Sequence, residues 1–345
     1  MTIQKSKGML MLTDGNLDNA SARIRAIQYI PFFEAQGYRV AHIPRIPKKP
    51  ANPFLKFTIF PVLKRWYYLK MTLAILFGKW DIVFVQRIFV RKNLLKILVN
   101  RSIKIIYDFD DAIYINPKRP KNRRKASNMV RFATKVIVST NYLVEFCLSC
   151  GQNPVIITSP VETERIRPFE KSKDQPVTIG WIGSLWTSGF LELVEKPLQK
   201  LAEKYSFLFI TVGASPEYKI KGINHISKTW VFEEENKDIG KMDIGIMPLP
   251  DTEWTKMKGG YKLLQYMSAG IPCVASPVGI NQSIIRPGEN GYLASNNDEW
   301  YLILEKLLVD RALRTRLGSN GRKDAMELYS REICFEKIMP MIKST

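Results

Sequence analysis

The chain has 345 residues, of which 46% are hydrophobic, 24% charged and 11% aromatic. This composition excludes a disordered or fibrous protein, and the length predicts two domains of roughly 150 to 180 residues each. The 4 cysteines are too few for a disulfide framework in a chain of this size. Cys147 and Cys150 form a C-x-x-C, which we interpret as packing within an apolar helix, with metal or redox use as the alternative.

The positive charge of the chain is concentrated in its first half. Residues 1–168 contain 29 Lys and Arg against 10 Asp and Glu, whereas residues 169–345 contain 23 against 22. Such asymmetry indicates that the first half contacts a polyanion, either an anionic membrane or a nucleic acid. A merely solvated basic surface is the alternative.

The most apolar part of the sequence is too short to cross a membrane. Lysine and arginine interrupt it before it reaches the roughly 18 residues that a spanning helix needs. The basic start of the chain continues directly into a strand, unlike a secretory signal. We therefore expect a cytoplasmic protein, with peripheral attachment to the inner face of the cell membrane as a further hypothesis.

Short apolar strands alternate with helices in the first half. The run GMLMLT (residues 8–13) predicts a buried strand, and a helix is expected over 21–36 before Gly37. Further strands are predicted in YRVAHI, WDIVFVQ, IKIIYDFD, TKVIVST and NPVIIT. This alternation predicts a mostly parallel, doubly wound α/β sheet.

Three segments depart from the alternation. Residues 53–78 mix aromatic and basic side chains and predict one or two amphipathic helices, whereas 117–125 (PKRPKNRRK) predicts a basic loop. The polar, Pro-bounded segment 159–176 predicts the connection between two domains. We accordingly assign an N-terminal domain to 1–160 and a linker to 161–176.

Carboxylates cluster at the end of one predicted strand. In YDFDDAIY, Asp108, Asp110 and Asp111 follow the strand KIIY. Clustered carboxylates can position a hydroxyl group of a substrate. A capped turn with solvated acids is the alternative.

Three arginines of the first half are candidates for a bound phosphate, namely Arg23, Arg25 and Arg87. Arg23 lies at the start of the first helix, and Arg87 ends the strand DIVFVQ. Each arginine could bind a phosphate or lie at the surface.

The second half of the chain repeats the alternation. It begins with the strand VTIGWIGS and continues through a helix over 188–204, the strands FLFITVGA and MDIGIMPL, a helix near 261–269 and the strand IPCVAS. The remaining residues predict mainly helix. We assign a second domain to 177–328 and a C-terminal helix to 329–345, for which a return to the first domain is one option.

The segment KMKGGYKLLQYMSAGIP (residues 256–272) is the strongest candidate for an anion site. Gly259 and Gly260 let the backbone approach a ligand, and the helix that starts there points its N–H groups and positive dipole end at the same space. Lys258 and Lys262 lie one helical turn apart, so both ammonium groups can reach one diphosphate. A solvated, lysine-rich helix start is the alternative.

Two further features belong to the same region. Gln265 lies about one turn beyond Lys262, where its amide can bond a ribose hydroxyl. The segment IGWIGSLWTSG runs from a strand into Gly183 and Ser184, and in open α/β sheets the ligand lies beyond the carboxyl ends of the strands.

Most of the chain resembles the GT-B-fold glycosyltransferases, in particular family 4. The segment GGYKLLQYMSAGIPCVASPVGINQSIIRPGENGYLA is similar to that family's helix, its AxGxPVVAS strand, its VG turn and its later NGYL. In the first half, ARIRAIQYIPFFEAQGYRV, VIVSTNYLVEFCLSCG and VIITSPVETERIRP resemble the corresponding segments. The resemblance implies a GT-B α/β fold, in which two Rossmann-like, doubly wound domains face a central cleft.

The resemblance also implies roles for individual residues. The residues expected to bind a nucleotide-sugar donor are Gly183, Ser184, Lys258, Gly259, Gly260, Tyr261, Lys262 and Gln265. The acceptor-side candidates are Asn16, Arg23 and Arg87, and the catalytic candidates are Asp108, Asp110, Lys258 and Lys262. No metal or cofactor is expected, because GT-B enzymes generally hold the diphosphate with protein charges.

This sequence departs from the family at the donor site. The family usually carries two glutamates eight positions apart around this helix, and the corresponding residues here are Met257 and Gln265. The family's Lys or Arg after the first glycine-rich turn is missing from GSLWTSG. Lys258 and Lys262 are expected to supply the diphosphate charge instead, as in a subset that resembles KxGxKLLQYM.

The sequence thus predicts a glycosyltransferase that moves a sugar from a nucleotide-sugar to a glycan or lipid-linked glycan acceptor, with retention, in bacterial-type surface polysaccharide or glycoconjugate synthesis. Fixed cations at the departing diphosphate should carry much of the catalysis. A non-catalytic nucleotide-sugar or glycan-binding scaffold is the alternative, suggested by Met257. Nucleic-acid binding is not expected, because the basic half has no recognisable reading helix or aromatic stacking platform.

Overall fold

The structure is a computed structural model, which describes residues 6–46, 52, 54, 57–115, 119–170 and 175–343. The chain divides into two compact units. The first unit contains Met1–Ser159 together with Phe335–Thr345, and the second contains Pro160–Cys334. The second unit therefore begins at the start of the predicted linker, whose residues 171–174 lie outside the described part.

A parallel sheet forms the centre of the first unit. Its strands are β1 (Lys7–Thr13), β2 (Tyr38–Pro44), β3 (Ile82–Gln86), β4 (Lys104–Phe109), β5 (Lys135–Val138) and β6 (Val155–Ile156). In the described residues these six strands are ordered β2-β1-β3-β4-β5-β6. The side chains of β1, β3 and β4 are buried on both faces, which explains their continuous Met, Leu, Val and Ile runs.

The helices of the first unit are α1 (Ala20–Arg25), α2 (Ile30–Ala35), α3 (Ile59–Phe77), α4 (Lys92–Asn100), α5 (Lys121–Phe132) and α6 (Val144–Leu148). The predicted single helix over 21–36 is wrong. The backbone leaves the α-helical region at Ala26 (φ −139°, ψ −60°), and α2 starts anew with Pro31 in its first turn. Proline fits a helix start but lacks the N–H that a continuous helix would need there.

The predicted basic loop over 117–125 is also wrong in part, because α5 begins at Lys121. Residues 117 and 118 lie outside the described part of the chain. Helix α5 buries Ala126, Met129 and Val130 and exposes its lysines and arginines. The basic charge is therefore the solvated face of an amphipathic helix.

The second unit has its own parallel sheet. Its strands are β7 (Thr178–Ile182), β8 (Leu208–Val212), β9 (His225–Lys228), β10 (Ile244–Met247), β11 (Cys273–Ala275) and β12 (Gly291–Leu293). Among the described residues the order is β12-β11-β10-β7-β8-β9. The direction in which strands are added reverses between β7 and β10, and such a switch point is where open α/β sheets bind ligands.

The remaining helices are α7 (Leu185–Ser188), α8 (Glu192–Ala202), α9 (Glu235–Gly240), α10 (Glu253–Lys256), α11 (Tyr261–Ser268), α12 (Asn281–Ile284), α13 (Asn297–Val309), α14 (Arg311–Leu328) and α15 (Arg331–Lys343). The predicted helix over 188–204 thus corresponds to α8, which is preceded by a 3-10 turn at Gly189–Leu191 and ends at Ala202. From Phe335 onward, α15 belongs to the first unit, where the Phe335 ring centroid lies 5.6 Å from that of Tyr29.

The first part of the predicted linker is packed into the second unit. Val161 forms a parallel bridge with Ser330, and both Val161 and Ile166 are fully buried in a core cluster. Apolar side chains within a polar segment therefore fix its beginning to the domain that follows.

Two other expectations concern the cysteines and the bilayer. Cys147 in α6 and Cys150, which lies in the turn after that helix, are free thiols and both are buried, as packing requires. No helix in the described ranges is both long enough and apolar enough to pass through a membrane.

Tyr266 of α11 connects the two strands at the switch point. Its side chain is fully buried, and its hydroxyl accepts a hydrogen bond from the backbone N–H of Ile182 (3.0 Å) and donates one to the carbonyl of Ile246 (3.2 Å). These residues lie in β7 and β10 respectively. The hydroxyl therefore fixes α11 against the centre of the sheet.

Tyr266→Phe is expected to destabilise the second unit by about 1–3 kcal/mol, because it leaves the buried N–H of Ile182 without its acceptor. Hydrogen–deuterium exchange should show faster exchange of the Ile182 amide in this variant. Tyr292→Phe is the matched control, since the hydroxyl of this half-buried tyrosine is bonded to the exposed Lys306. Unchanged exchange at Ile182 would contradict the bridging role.

Candidate functional site

The start of α11 has the backbone of an anion-binding helix terminus. Gly260 is its N-cap residue and has a left-handed backbone (φ 66°, ψ 12°), and no side chain of the described residues caps this end. A Cβ atom at Gly260 would lie 2.6 Å from Cδ1 of Ile284, so glycine is required on two grounds. The N–H of Leu263 donates to the carbonyl of Gly260 (2.9 Å), and the positive end of the helix dipole faces the space before α11, where it favours an anion.

Lys258 and Lys262 lie on either side of this helix start, and both are half-buried. The ammonium of Lys258 lies 3.7 Å from the ring centroid of Trp254, and that of Lys262 lies 5.6 Å from the ring of Trp181. Burial, together with the nearby charge of Lys258, lowers the pKa of Lys262 to about 8. No carboxylate among the described residues offsets the charge of Lys262. The two lysines thus form a cationic site that an anion would neutralise.

The first glycine-rich turn lies beside Lys262. Gly183 follows β7, and a Cβ atom there would collide with the ring of Trp181 and lie 2.8 Å from Cε of Lys262. The structure therefore brings together the two motifs that the sequence singled out. Gly213, which follows β8, packs directly against the carbonyl of Gly183. The sequence analysis did not single out Gly213 as part of this site. Its position directly after a strand of the same predicted sheet could have indicated it.

The other predicted donor residues have different surroundings. Ser184 is exposed and is the N-cap residue of α7, where its backbone N–H donates to Oγ1 of Thr187 (3.3 Å). Gln265 is only 3% exposed. The hydrogen bond from its amide to a ribose hydroxyl remains a prediction. Gly259 and Tyr261 are half-buried on the two sides of Gly260.

A turn after β11 adds a side chain that the sequence did not indicate. Asn281 is 1% exposed and donates from Nδ2 to the carbonyl of Ser276 (3.0 Å). Its Oδ1 has no hydrogen-bond partner among the described residues and lies 3.9 Å from where a Cβ of Gly260 would be. Asn281 therefore packs an amide oxygen against the backbone at the start of α11.

In the first unit, the structure corrects the role expected for Asp108. Its side chain is 1% exposed, and Nε and Nη2 of Arg25 donate to its two oxygens at 3.0 and 2.6 Å. Burial disfavours the charge of Arg25, but Asp108 outweighs this and raises the pKa of Arg25 above its ordinary value. Arg25 also donates to the carbonyl of Ile157 (2.5 Å). This buried ion pair holds the domain together and cannot reach an acceptor.

The expectation that Arg23 contacts an acceptor is also corrected. Its side chain is 3% exposed and donates to the carbonyl of Leu17 (2.6 Å). It holds the loop between β1 and α1 rather than facing a ligand. Asn16 lies in that loop and is exposed, with its carbonyl accepting from the N–H of Asn19 (3.0 Å).

Asp110 and Arg87 do come together at the carboxyl ends of β4 and β3, respectively. Nη1 of Arg87 lies 3.5 Å from Asp110 and its Nη2 lies 3.0 Å from Asp111. Ser21 donates to Asp110 at 2.7 Å and accepts from Gln86 at 2.7 Å. Arg87 has a left-handed backbone (φ 62°), which is rare for a residue with a side chain and is typical of functional positions.

Comparison with known proteins identifies the second unit. Residues 176–310 match the family model described as Glycosyl transferases group 1. N-acetyl-alpha-D-glucosaminyl L-malate synthase of Bacillus anthracis is 25% identical over 146 residues, which cover 40% of this chain and 38% of that protein. The match thus spans well under half of the relative. The family resemblance expected from the sequence is confirmed over residues 176–310, which are similar to the group 1 glycosyltransferases.

Solved structures are similar along the whole chain. Sucrose-phosphate synthase from Thermosynechococcus elongatus is 15% identical with a TM-score of 0.73, covering 98% of this chain and 99% of that one. Anabaena HepE, solved in complex with UDP and glucose, is 13% identical with a TM-score of 0.66, covering 98% and 100%. At these identities the likeness shows the fold alone. The fold is GT-B, with a parallel Rossmann-like sheet in each unit as predicted.

Asp108→Ala is expected to destabilise the first unit by about 3–5 kcal/mol, because it leaves Arg25 as an uncompensated buried charge. Urea unfolding followed by circular dichroism would measure the loss. Asp111→Ala is the matched control, since this carboxylate is 23% exposed. An Asp108→Ala variant with the parent's unfolding midpoint would contradict the structural assignment.

Proposed function

We propose that this chain, in which a group 1 glycosyltransferase domain forms part of a GT-B fold, is a glycosyltransferase that takes a sugar from a nucleotide-sugar donor. The observation that carries the proposal is the state of Lys262. It is a half-buried cation with a lowered pKa, next to Lys258 and to the open N-terminus of α11. Burial and Lys258 both disfavour the charge of Lys262, and a nucleoside diphosphate beside it would favour that charge.

The same arrangement suits the chemistry of transfer. Negative charge builds on the departing diphosphate as the bond to the sugar breaks, and cations that are already in place stabilise it without reorganisation. The aromatic rings beside Lys258 and Lys262 keep the ammonium groups in weakly solvated positions, where their charges act more strongly. In this proposal Lys258 and Lys262 are the catalytic cations, and Gly183 and Gly260 let the backbone approach the diphosphate.

The first unit is proposed to bind the acceptor, a glycan or a lipid-linked glycan. Arg87, held by Asp110 and Asp111 with a left-handed backbone, can contact an acceptor phosphate or hydroxyl. Asp110 stands in place of Asp108 as the carboxylate that positions the acceptor, and Asn16 lies in the loop that follows β1. The resemblance to family 4 supports retention, with the leaving phosphate oxygen taking the acceptor proton, and a place in bacterial-type surface polysaccharide or glycoconjugate synthesis.

Met257 favours a second candidate, a non-catalytic nucleotide-sugar or glycan-binding scaffold. A methionine stands where the related enzymes have a carboxylate for the donor sugar, and it cannot accept the same hydrogen bonds. Binding of a nucleotide sugar with neither hydrolysis nor transfer would favour the scaffold.

A thermal-shift screen with UDP, GDP, dTDP, ADP and CMP sugars tests the proposal first, because a ligand that binds the native state raises its apparent stability. HepE, solved with UDP and glucose, makes UDP-glucose the first donor to try. With the donor that binds, Lys258→Gln/Lys262→Gln should lower the rate of transfer by about 100-fold or more. Lys237→Gln/Lys306→Gln, which changes two exposed lysines of the same unit, is the charge-matched control. A near-normal rate in the double variant would remove the catalytic assignment.

Nucleotide binding is expected to take up a proton at Lys262. At pH 8 this lysine is about half neutral in the unbound protein, and a diphosphate beside it favours the charged form and raises its pKa. Uptake of about half a proton is therefore expected at pH 8, and affinity should fall as the pH rises above 8. Isothermal titration calorimetry in buffers of different ionisation enthalpy measures this uptake. It should disappear in Lys262→Gln and persist in Lys306→Gln, whereas the absence of uptake in the parent would contradict the account of Lys262.

A further inference from the structure

Helix α3 has apolar side chains on two opposite sides. Tyr67, Met71 and Ile75 are buried and pack the helix onto the first unit. A second apolar row stands in solvent with exposures between 44% and 62%, and it consists of Val62, Trp66, Leu69 and Leu73. We name these four residues the α3 stripe. A surface helix needs one apolar face for its own domain, so the α3 stripe is not explained by the fold.

The α3 stripe is continuous along the helix. Its members are separated by four, three and four positions, which places them in one row on an α-helix, about 170° around the axis from the buried row. Phe77 extends the row at one end and is 78% exposed, and Phe57, just before the helix, is 74% exposed. Soluble monomers rarely expose contiguous apolar patches of this kind without a partner.

Basic side chains accompany the α3 stripe. Arg65 and Lys70 are exposed and lie on its two sides, and α3 contains no acidic residue. The ammonium of Lys70 lies 5.3 Å from the Trp66 ring. Beside α3, a shallow open depression is lined by Thr72, Arg91, Lys92, Asn93 and Leu94. The surroundings of the apolar row are therefore positive.

We propose that the α3 stripe docks on the surface of an anionic lipid bilayer. The apolar row enters the boundary between headgroups and acyl chains, with α3 lying in the plane of the membrane, while Arg65, Lys70 and Arg91 meet lipid phosphates. Trp66 suits this depth, because tryptophan is enriched at membrane–water interfaces. This role goes beyond the proposed sugar transfer and does not depend on it.

The charges favour a bilayer over a second copy of the chain. In a symmetric dimer the same surface of both copies meets, so the cations that flank the α3 stripe would face the cations of the other copy. An anionic bilayer instead supplies an apolar layer covered by negative charge, which matches both parts of the surface.

Flotation of the full chain with phosphatidylcholine vesicles, with and without about one quarter phosphatidylglycerol, tests the proposal. We expect about tenfold or more binding to the anionic vesicles over the neutral ones, decreasing when salt is raised to about 0.5 M. Val62→Ser/Trp66→Ser/Leu69→Ser should lower anionic binding by about tenfold or more. The matched control is Leu302→Ser/Val309→Ser, which changes two exposed apolar residues of the second unit and should bind like the parent. Circular dichroism of each variant would confirm that it is folded.

Three results would overturn the proposal. They are parent-like flotation of the triple variant, equal binding of the parent to neutral and anionic vesicles, and a parent dimer that binds no vesicles and becomes monomeric in the triple variant. The last result, seen by size exclusion with light scattering, would assign the α3 stripe to a second copy. Lys258→Gln/Lys262→Gln should float like the parent, so that failure of the proposed function is distinguished from failure of membrane docking.

Discussion

The hydroxyl of Tyr266 is the contact on which the donor site depends. It bonds to the N–H of Ile182 at the end of β7 and to the carbonyl of Ile246 in β10, the two strands between which the strand order reverses. Because Tyr266 belongs to α11, this contact fixes the position of that helix against the sheet. Lys262, one turn before Tyr266, consequently lies beside Gly183, and the cationic helix start faces the carboxyl edge of the sheet.

Charge compensation distinguishes the buried Arg25 of the first unit from Lys262, the candidate ligand-binding cation of the second. In the first unit, Arg25 is buried with Asp108, and the pair satisfies itself. Lys262 in the second unit is held between an aromatic ring and another cation, with burial and Lys258 both lowering its pKa. A domain gains no stability from such a group, and sites whose charges are left uncompensated are commonly functional.

Local patterns in the sequence were sufficient for the strands, because the buried strands follow from apolar runs. Lys258 and Lys262 do lie close together, but the expected helical spacing is not the reason, since Lys258 precedes the left-handed Gly260 and lies outside α11. The break of the first helix could also have been predicted, since Pro31 marks it. The roles of Asp108 and Tyr266 could not, because their partners Arg25 and Ile182 lie 83 and 84 positions away in the chain. A carboxylate at a strand end looks the same in sequence whether it is buried in an ion pair or open to a ligand.

The central claim is that Lys258 and Lys262 at the start of α11 recognise a diphosphate, and affinities along one nucleotide series test it most directly. Calorimetric dissociation constants would be compared for the nucleoside, the nucleoside monophosphate and the nucleoside diphosphate of the base that binds. The account predicts affinity that rises with each phosphate, by about tenfold or more from nucleoside to diphosphate, and that weakens with added salt. A nucleoside that binds as tightly as its diphosphate would contradict the account.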